Sequence, residues 1–561
     1  MAQVVAPWLG PVESSRFLAG TEQKLRGGYY TPDEIASILA LWTVRAPDAR
    51  VLEPSCGDGQ LVEAVAKHLG PSGSICGIEL FPEESAKAAA RGGGRAEIAT
   101  GDFFAWFLHE RPERRFDAVV GNPPFLRFHS FPEEHRESAF AVMKNEGLHP
   151  SRLTNAWVPF VVASTAALVD GGRLGLVLPA ELLQVSYASE LREYLSRKFR
   201  RLVIVTFQHI IFEGTQQETV LLFGVRGDGS AARMKWIELD DAADVKDIDR
   251  LAALNGVAID LDHAREKWTQ YYLSPDELDL VREVESSPKF TTLGALAEVD
   301  VGVVTGNNDF FVLTQEHAMR LGIVQHAFPL VSRSAHIPGI ELGRGEWDRL
   351  RDGGQRTLLL QLPAVPREHL DQAAAAYIES GEELGAHIGY KCRIRLPIWW
   401  EVPSVWVPDA FMLRQIHEGP RVVANTAGVT CTDTIHRLRT RTNVAARWLA
   451  AASLNSLTFA FAEIRGRSYG GGVLELEPSE AESLPFPRLT ADLPFDEIDG
   501  LIRQRRTEDA LDLVDRVVLR AAGLGSTEID TLRGIWKKLS GRRVSRRGRR
   551  KRPLPLLPAE A

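Results

Sequence analysis

The stretch VVGNPPFLRF, residues 119–128, places an unusual set of chemical groups at the end of a predicted strand. The two valines are typical of a buried strand, which must end at the two prolines because neither has a backbone N–H to donate. The loop then presents the Asn122 amide, the carbonyl groups of Pro123 and Pro124, and the ring of Phe125. Packing alone does not require such a stiff loop of acceptors beside an aromatic ring. These four residues are therefore candidate catalytic residues.

Acidic residues end the three preceding predicted strands. Glu53 lies before the glycine-rich turn 54–59, PSCGDG, which is neither GxGxxG nor a P-loop and so suits a cationic ligand without phosphate. Glu79 follows 26 residues later, where a doubly wound fold places a carboxylate on two ribose hydroxyls. Asp102 can accept a hydrogen bond from an adenine amino group, and Phe103 can line the face of that ring. One such acid is often a solvated strand end, but three in series before NPPF indicate a binding site.

Strand and helix patterns alternate over residues 29–225, which predicts a parallel α/β sheet with helices on both faces. The segment TPDEIASILALW predicts a helix with Thr31 as its N-cap, Pro32 at its first position and Glu34 completing a capping box. Later, RLVIVTF and ETVLLFG predict two strands that can pair as neighbours.

The sequence changes character after residue 226, where strand-like and loop-like pieces rich in Trp, Pro and Gly predict a separate mixed α/β domain. Residues 484–489, LPFPRL, are typical of a linker, and a single helix is predicted over 495–523. The predicted organisation is an N-terminal extension, an α/β domain, a connecting segment, a mixed α/β domain, a helical segment and a basic tail, with bounds 1–26, 27–240, 241–290, 291–490, 491–532 and 533–561.

Charge and composition limit the class of protein. The 561 residues carry a formal charge of −8, yet residues 533–552 hold eleven Lys and Arg and no acid, which predicts either a polyanion contact or a solvated tail. Four scattered cysteines without a CxxC or Cys/His cluster indicate neither disulfides nor a metal site, so a cytoplasmic setting is expected. No signal peptide is recognisable, and the uncharged run 155–169 is too short for the ~18 residues of a membrane span.

The series GGYYTPDEIA, VLEPSCGDG, GIEL, GDFF and GNPPF resembles the γ-class S-adenosylmethionine-dependent N6-adenine DNA methyltransferases of restriction-modification systems, the Eco57I/TaqI-like methylases. The resemblance covers about residues 27–225 in the expected order. It implies a class I methyltransferase fold, a doubly wound, mostly parallel, seven-stranded sheet, followed by a C-terminal target-recognition domain. It also implies double-stranded DNA as partner, with a cognate restriction endonuclease or defence-system proteins as further candidates, and no membrane or metal.

The resemblance also implies individual roles. The cofactor-binding residues would surround S-adenosylmethionine. Thr31 and Pro32 would lie at its methionine part, and Glu53 would lie near its amino group together with the turn residues Pro54, Ser55, Cys56 and Gly57. Glu79 would contact the ribose, Asp102 and Phe103 would contact the adenine, and Phe160 would line the pocket. Asn122 and Pro123 would accept the two N–H bonds of the target amino group. Phe125 and Phe212 would stack on the two faces of a flipped-out adenine.

Other functions use parts of the same pattern. A protein-glutamine methyltransferase also has an Asn-Pro-Pro-aromatic loop, but those enzymes lack a large C-terminal domain. An RNA base methyltransferase and a non-catalytic DNA-binding subunit with a methyltransferase fold are further alternatives, although the intact acids and Asn122 disfavour the latter. No persuasive nuclease metal motif is found, so a stand-alone site-specific DNA methyltransferase is expected.

Overall fold

The computed structural model describes residues 31–110, 115–126, 133–207, 218–227, 233–240, 248–254, 257–260, 267–469, 472–488 and 491–545. Contacts divide the chain into two compact units, with the boundary between Tyr271 and Tyr272. Within the described ranges, no helix combines the length and the apolar character that a membrane crossing requires.

The first unit alternates strands and helices, as its sequence pattern predicts. Its strands are β1 Arg50–Glu53, β2 Ser74–Glu79, β3 Ala96–Thr100, β4 Phe116–Gly121, β5 Leu168–Pro179, β6 Phe199–Phe207, β7 Thr219–Arg226, β8 Arg233–Leu239 and β9 Val257–Asp260. Its helices are α1 Asp33–Thr43, α2 Gln60–Ala66, α3 Pro82–Arg91, α4 Phe103–Glu110, α5 Glu133–Asn145, α6 Trp157–Ala167, α7 Glu181–Gln184, α8 Ser189–Lys198 and α9 Ile248–Leu254.

In the described part of this unit, nine strands form one sheet in the order β3-β2-β1-β4-β5-β7-β6-β8-β9. The strands β1 to β5 are mutually parallel, whereas β7 runs antiparallel to both β5 and β6. The doubly wound, mostly parallel α/β fold and the pairing of the two late strands are therefore confirmed. The sheet has two strands more than the seven expected, because β8 and β9 extend it beyond β6 and past the predicted boundary at residue 240.

The start of α1 differs from its prediction. The helix begins at Asp33 with Pro32 at the N-cap, and no side chain caps it, so the predicted capping box does not form. The hydroxyl of Thr31 instead accepts a hydrogen bond from a residue that lies 91 positions further along the chain, Asn122. The long-range hydrogen bond from Asn122 therefore uses the hydroxyl that the predicted helix cap would have used.

The second unit contains several small sheets and short helices. Its strands form a five-stranded sheet (β11 Ala297–Val301, β20 Ile435–Thr440, β16 Ala410–Leu413, β18 Val422–Asn425, β14 Glu341–Leu342), a four-stranded sheet (β12 Val312–Leu313, β15 Leu358–Leu360, β13 Ala327–Val331, β19 Thr430–Cys431), a three-stranded sheet (β17 Gln415–Ile416, β22 Val473–Glu475, β21 Arg467–Tyr469) and a pair (β10 Phe290–Thr292, β23 Pro485–Pro487). Its helices are α10 Pro275–Ser286, α11 Leu293–Leu296, α12 Asn308–Phe311, α13 Gln315–Arg320, α14 Arg344–Asp352, α15 Gln372–Glu383, α16 Tyr390–Arg393, α17 Ala446–Ala452, α18 Ser456–Arg465, α19 Pro478–Glu482, α20 Phe495–Arg503, α21 Thr507–Val514 and α22 Ser526–Ser545.

Two predictions for this region are wrong. The predicted linker at 484–489 contains β23, which pairs antiparallel with β10 and buries Phe486 completely. The predicted helix over 495–523 is broken between α20 and α21, where Arg505 has a φ of 61°. Proline at a strand end and a positive φ in a charged residue both depend on tertiary packing, which a local pattern does not reveal.

The basic tail predicted from residue 533 is also corrected. Residues 533–545 belong to α22, and four of their five cations are paired with acids of the same unit, while the Arg542 guanidinium lies 3.7 Å from the centroid of the Tyr272 ring. Arg543 is buried and donates to Glu463 at 2.6 Å, and Arg533 contacts Asp515 at 2.7 Å. Lys537 and Lys538 pair with exposed or half-buried carboxylates on α21 and α10. The remaining six basic residues, in 546–552, lie outside the described residues.

Candidate active site

Four predicted site residues lie at one edge of the first sheet. Glu53 ends β1, Glu79 ends β2, Asp102 follows β3 and Asn122 follows β4. Because these strands are parallel and adjacent in the order β3-β2-β1-β4, their carboxyl ends form one row, with neighbouring strands about 4.8 Å apart. Parallel pairing thus brings together residues that are up to 69 positions apart in the sequence.

The turn after β1 is held in place by backbone and carboxylate contacts. The N–H of Cys56 donates to the Ile78 carbonyl at 2.9 Å, which ties the turn to β2. Glu79 accepts from the backbone N–H of Gly57 at 2.8 Å and from that of Phe81 at 3.0 Å. Glu79 is therefore part of the scaffold of the turn as well as a candidate ligand-binding acid. Burial raises the pKa of this carboxyl, and the two backbone donors oppose that rise.

Glycine occupies two positions of the turn for different structural reasons. Gly59 has a φ of +89°, and a Cβ there would lie 2.5 Å from the Cα of Ala88 in α3, so the close approach of α2 and α3 excludes a side chain. Gly57 has a φ of +51°, and a Cβ there would meet no atom within 4 Å. The backbone at Gly57 therefore faces open space, where a ligand can approach it closely.

Glu53 is a buried acid that lacks a hydrogen-bond partner at one oxygen. Its side chain is 2% exposed, and no donor among the described residues reaches Oε2. Burial, followed by the charges of Glu79 and Asp58, raises the pKa of Glu53 well above its ordinary value, and the Val62 backbone N–H opposes the rise. A buried acceptor without a donor is costly. A cationic N–H group placed there would remove that cost.

Asp102 and two aromatic residues lie at the other end of the row. Asp102 accepts from the Ala105 N–H at 2.7 Å and contacts His135 Nδ1 at 3.2 Å, so both of its oxygens have partners. The rings of Phe103 and Phe160 stack with centroids 5.3 Å apart and an interplanar angle of 14°. These two predicted pocket residues thus pack together, although both are largely buried.

The loop of Asn122 is connected to the rest of the site by three contacts. Its side-chain Nδ2 donates to Thr31 Oγ1 at 3.2 Å, and its carbonyl accepts from Ser55 Oγ at 3.4 Å. A Cβ on Gly121 would lie 3.3 Å from the ring of Pro54, so the start of this loop packs closely on the turn after β1. Three segments predicted separately therefore meet at Asn122.

The prolines and Phe125 differ in their surroundings. Pro123 is buried, whereas Pro124 and Phe125 are half-buried, and the Phe125 ring packs against the core cluster on one side of the sheet. Beyond them, the Leu126 carbonyl accepts from the Ala156 N–H at 2.9 Å, which joins the loop to the start of α6. Phe212 lies outside the described residues, so its predicted stacking role stays a prediction.

The sequence-based search missed a polar group beside this loop. Asn155 Nδ2 donates to Tyr187 Oη at 2.8 Å and to Glu181 Oε2 at 3.1 Å, and the Tyr187 hydroxyl donates to Glu181 at 2.5 Å. Glu181 comes two residues after β5, so the rule that identified the other strand-end acids would also have found it. The contact of His135 with Asp102 could not be predicted in this way, because His135 lies on α5, which follows the NPPF loop and not a strand end.

Among the residues that the structure describes, no group of three or more His, Cys, Asp or Glu side chains is arranged to hold a metal ion. All four cysteines are buried free thiols.

Comparisons with known proteins identify both parts of the chain. The Eco57I restriction-modification methylase family matches residues 83–212, and the C-terminal domain of the Type II methyltransferase M.Eco57I matches residues 265–519. The Type II methyltransferase M.XamI of Xanthomonas campestris pv. amaranthicola is 25% identical over 483 residues, which cover 82% of this chain and 85% of the relative. M.AccI of Acinetobacter calcoaceticus is 20% identical over 488 residues, which cover 83% and 86%.

A solved structure is similar over a comparable range. A nuclease-deletion mutant of the Type ISP restriction-modification enzyme LlaGI, in complex with a DNA substrate mimic, shares 13% identity. The similarity covers 86% of this chain and 55% of that chain, with a TM-score of 0.49.

The first family match contains Asp102, the NPPF loop and Phe160, and the second covers most of the C-terminal unit. The two matches follow one another along the chain without overlap and together include most of its length. The resemblance inferred from the motifs is confirmed: the chain is similar to the Eco57I restriction-modification methylases over residues 83–212 and to the C-terminal domain of M.Eco57I over residues 265–519.

Proposed function

We propose that this protein transfers a methyl group from S-adenosylmethionine to the N6 amino group of an adenine that is flipped out of double-stranded DNA. In this proposal it is the modification component of a restriction-modification or related defence system, located in the cytoplasm. The observation that carries the proposal is the row of Asp102, Glu79, Glu53 and Asn122 along one sheet edge. It combines acids suited to a nucleoside cofactor with an amide suited to an amino group.

The residues at this edge fit S-adenosylmethionine. The unsatisfied Oε2 of Glu53 would accept from the cofactor's ammonium group, and the open backbone at Gly57 would allow close approach. Glu79 would contact the ribose hydroxyls, while Asp102 and Phe103 would contact the adenine. Pro32, Pro54, Ser55, Cys56 and Phe160 would line the remaining surface. When bound, the cofactor supplies an electrophilic methyl group on a sulfonium.

Asn122 and Pro123 would make the target amino nitrogen reactive. The lone pair of an adenine amino group is delocalised into the ring, which makes the nitrogen a poor nucleophile. Two acceptors, Asn122 Oδ1 and the Pro123 carbonyl, would hold its N–H bonds and move the nitrogen toward tetrahedral geometry. The prolines and the contacts of Asn122 with Thr31 and Ser55 hold this loop in one arrangement, which is electrostatic preorganisation.

Phe125 would stack on the target base, with Phe212 proposed for its opposite face. A base inside a duplex cannot reach a loop at a sheet edge, so the target has to leave the helix stack. Aromatic stacking would replace the lost base stacking at ~1–3 kcal/mol per base. The C-terminal unit is proposed to recognise the DNA sequence, and a cognate restriction endonuclease is a proposed partner.

The test is methylation with tritium-labelled S-adenosylmethionine and unmodified plasmid DNA, followed by nucleoside analysis of the product. We expect N6-methyladenine at a defined sequence and no label in RNA or in peptides that contain glutamine. N4-methylcytosine as the product would refute the proposed base, because cytosine carries an equivalent amino group. Label in RNA or peptide but not in DNA would refute the proposed substrate class.

A further inference from the structure

One short segment of the second unit exposes an unusual number of large apolar side chains. Within residues 384–396, LGAHIGYKCRIRL, the side chains of Leu384, Ile388, Tyr390, Ile394 and Leu396 are between 55% and 75% exposed. Single exposed apolar residues are normal on protein surfaces, but a concentration of this kind marks an interaction site.

The segment is fixed to the body of the unit rather than loosely attached. Cys392 is completely buried and its Sγ contacts the Thr305 carbonyl at 3.8 Å. Arg395 donates to the carbonyls of Val304 at 2.7 Å, Thr305 at 2.9 Å and Glu401 at 3.0 Å. Ala386 and Cys392 are buried between exposed residues, so the anchored residues present their neighbours to solvent in one arrangement.

The charges of the segment are positive and uncompensated. Lys391 and Arg393 are exposed, and no acidic side chain among the described residues pairs with either of them. The segment itself contains no Asp or Glu. This distinguishes it from α22, where four of the cations described above are paired with carboxylates. The Lys391 ammonium lies 5.8 Å from the centroid of the exposed Tyr390 ring. Exposed apolar groups beside cations that have no acidic partner suit a polyanion that also offers apolar surface.

We propose that residues 384–396 are a DNA-docking surface of the second unit, in which the apolar side chains contact bases and Lys391 and Arg393 contact the flanking phosphates. This inference rests on the proposed function, since it takes duplex DNA as the occupant. Charge complementarity selects DNA over an apolar protein surface, and apolar side chains are known to contact and separate base steps in a groove. Anchoring through Cys392 and Arg395 keeps the ordering cost of binding low.

Two sets of variants separate the two kinds of contact in the full-length protein. The first is I388S with Y390S and I394S, and the second is K391Q with R393Q. The matched controls are M319S and R320Q, which alter an exposed apolar side chain and an exposed cation on α13 of the same unit. The side chains to be altered are mostly exposed, so the melting temperature should remain that of the wild type.

Affinity for a fluorescently labelled mixed-sequence duplex is measured by anisotropy over a range of salt concentrations. We expect K391Q with R393Q to reduce the slope of log affinity against log salt by about 1.8, at about 0.9 for each phosphate contact. The apolar variant should lose about tenfold or more in affinity with little change in slope, because base contacts release few counterions. M319S and R320Q should behave as the wild type.

Failure of this proposal is distinguishable from failure of the proposed function. If the wild type methylates DNA but both variant sets bind the duplex with wild-type affinity and slope, the DNA-docking surface is refuted and the proposed function stands. If the wild type fails to methylate DNA while binding S-adenosylhomocysteine in calorimetry, the proposed function fails. Sedimentation that shows a wild-type dimer, dissociated by the apolar variant without loss of DNA affinity, would assign the surface to a second copy and overturn the proposal.

Discussion

Glu53→Gln should weaken cofactor binding by removing a charge while preserving shape. The side chain is buried, and its Oε2 has no donor among the described residues. A cationic ammonium would supply that donor, and a hydrogen bond to a charged group contributes ~1.5–3 kcal/mol. At 1.4 kcal/mol per factor of ten, this corresponds to a loss of about 10- to 150-fold in cofactor affinity.

Glu53→Gln should also remove the pH dependence of cofactor affinity. Burial, then the charges of Glu79 and Asp58, raises the pKa of Glu53, so its carboxyl stays neutral to higher pH than that of an ordinary glutamate. A cation binds the ionised form, so wild-type affinity should rise with pH, by up to tenfold per unit below that pKa, and binding should release a proton. Stability of the cofactor-free protein should change in the opposite sense. It should fall as pH rises from the unfolded value of about 4.3 through the raised folded pKa.

Calorimetry with S-adenosylhomocysteine tests both expectations below about pH 7.5, where an α-amino group with a pKa near 8 remains charged. Asp58→Asn is the matched control: it removes a like charge near Glu53 and breaks the 2.9 Å ion pair of Asp58 with Arg91, which keeps Glu63 at 3.9 Å. In this control, which retains Glu53, the pH profile of cofactor affinity should therefore shift to lower pH. Wild-type affinity and an unchanged pH profile in Glu53→Gln would refute the assignment of Glu53 to the ammonium group.

The remaining predictions concern the target loop, the cofactor turn and the C-terminal segment. Asn122→Ala should lower single-turnover methylation on the order of 10²–10³ while cofactor affinity is retained; a near wild-type rate would contradict its role. Glu79→Gln should lower both cofactor affinity and the melting temperature, because an amide has only one acceptor oxygen for two backbone donors. A melting temperature equal to that of the wild type would show that the turn does not depend on the Glu79 carboxylate. Arg543→Met should reduce the free energy of unfolding by ~3–5 kcal/mol, measured in denaturant, because Glu463 would be buried without its partner. Deleting 546–561 should leave α22 folded and reduce the salt dependence of DNA binding; an unchanged slope would leave these cations without a role in that binding.

Much of the site could be predicted because its residues occupy strand ends. A strand is recognisable from its apolar residues, and parallel strands bring their carboxyl ends to one edge. Glu53, Glu79, Asp102 and Asn122 could therefore be placed together before their distances were known. Glu181 lies after β5 in the same way and was missed only because the rule was not applied to that strand.

The partners of these residues could not be predicted in the same way. Thr31 has the sequence context of a helix cap, yet its hydroxyl accepts from Asn122, which is distant in the chain. Glu79 holds the turn at Gly57, whereas no donor in the described part of the chain reaches Glu53 Oε2, although both residues are acids at strand ends. Such differences depend on how neighbouring loops pack over the sheet edge, and the packing is a property of the whole unit.

The basic C-terminal segment shows the same difference between what the sequence determines and what the tertiary structure determines. The sequence alone determined that its cations are concentrated there, and the alternation of strands and helices determined a parallel sheet with the candidate site residues at one edge. Only the tertiary structure decided that Arg543 is buried on Glu463, 80 residues away, whereas Lys391 and Arg393 have no acidic partner among the residues that the structure describes. Charge and period are local properties that a sequence displays directly. Which charge meets which partner depends on long-range contacts, and these form only when the chain has folded.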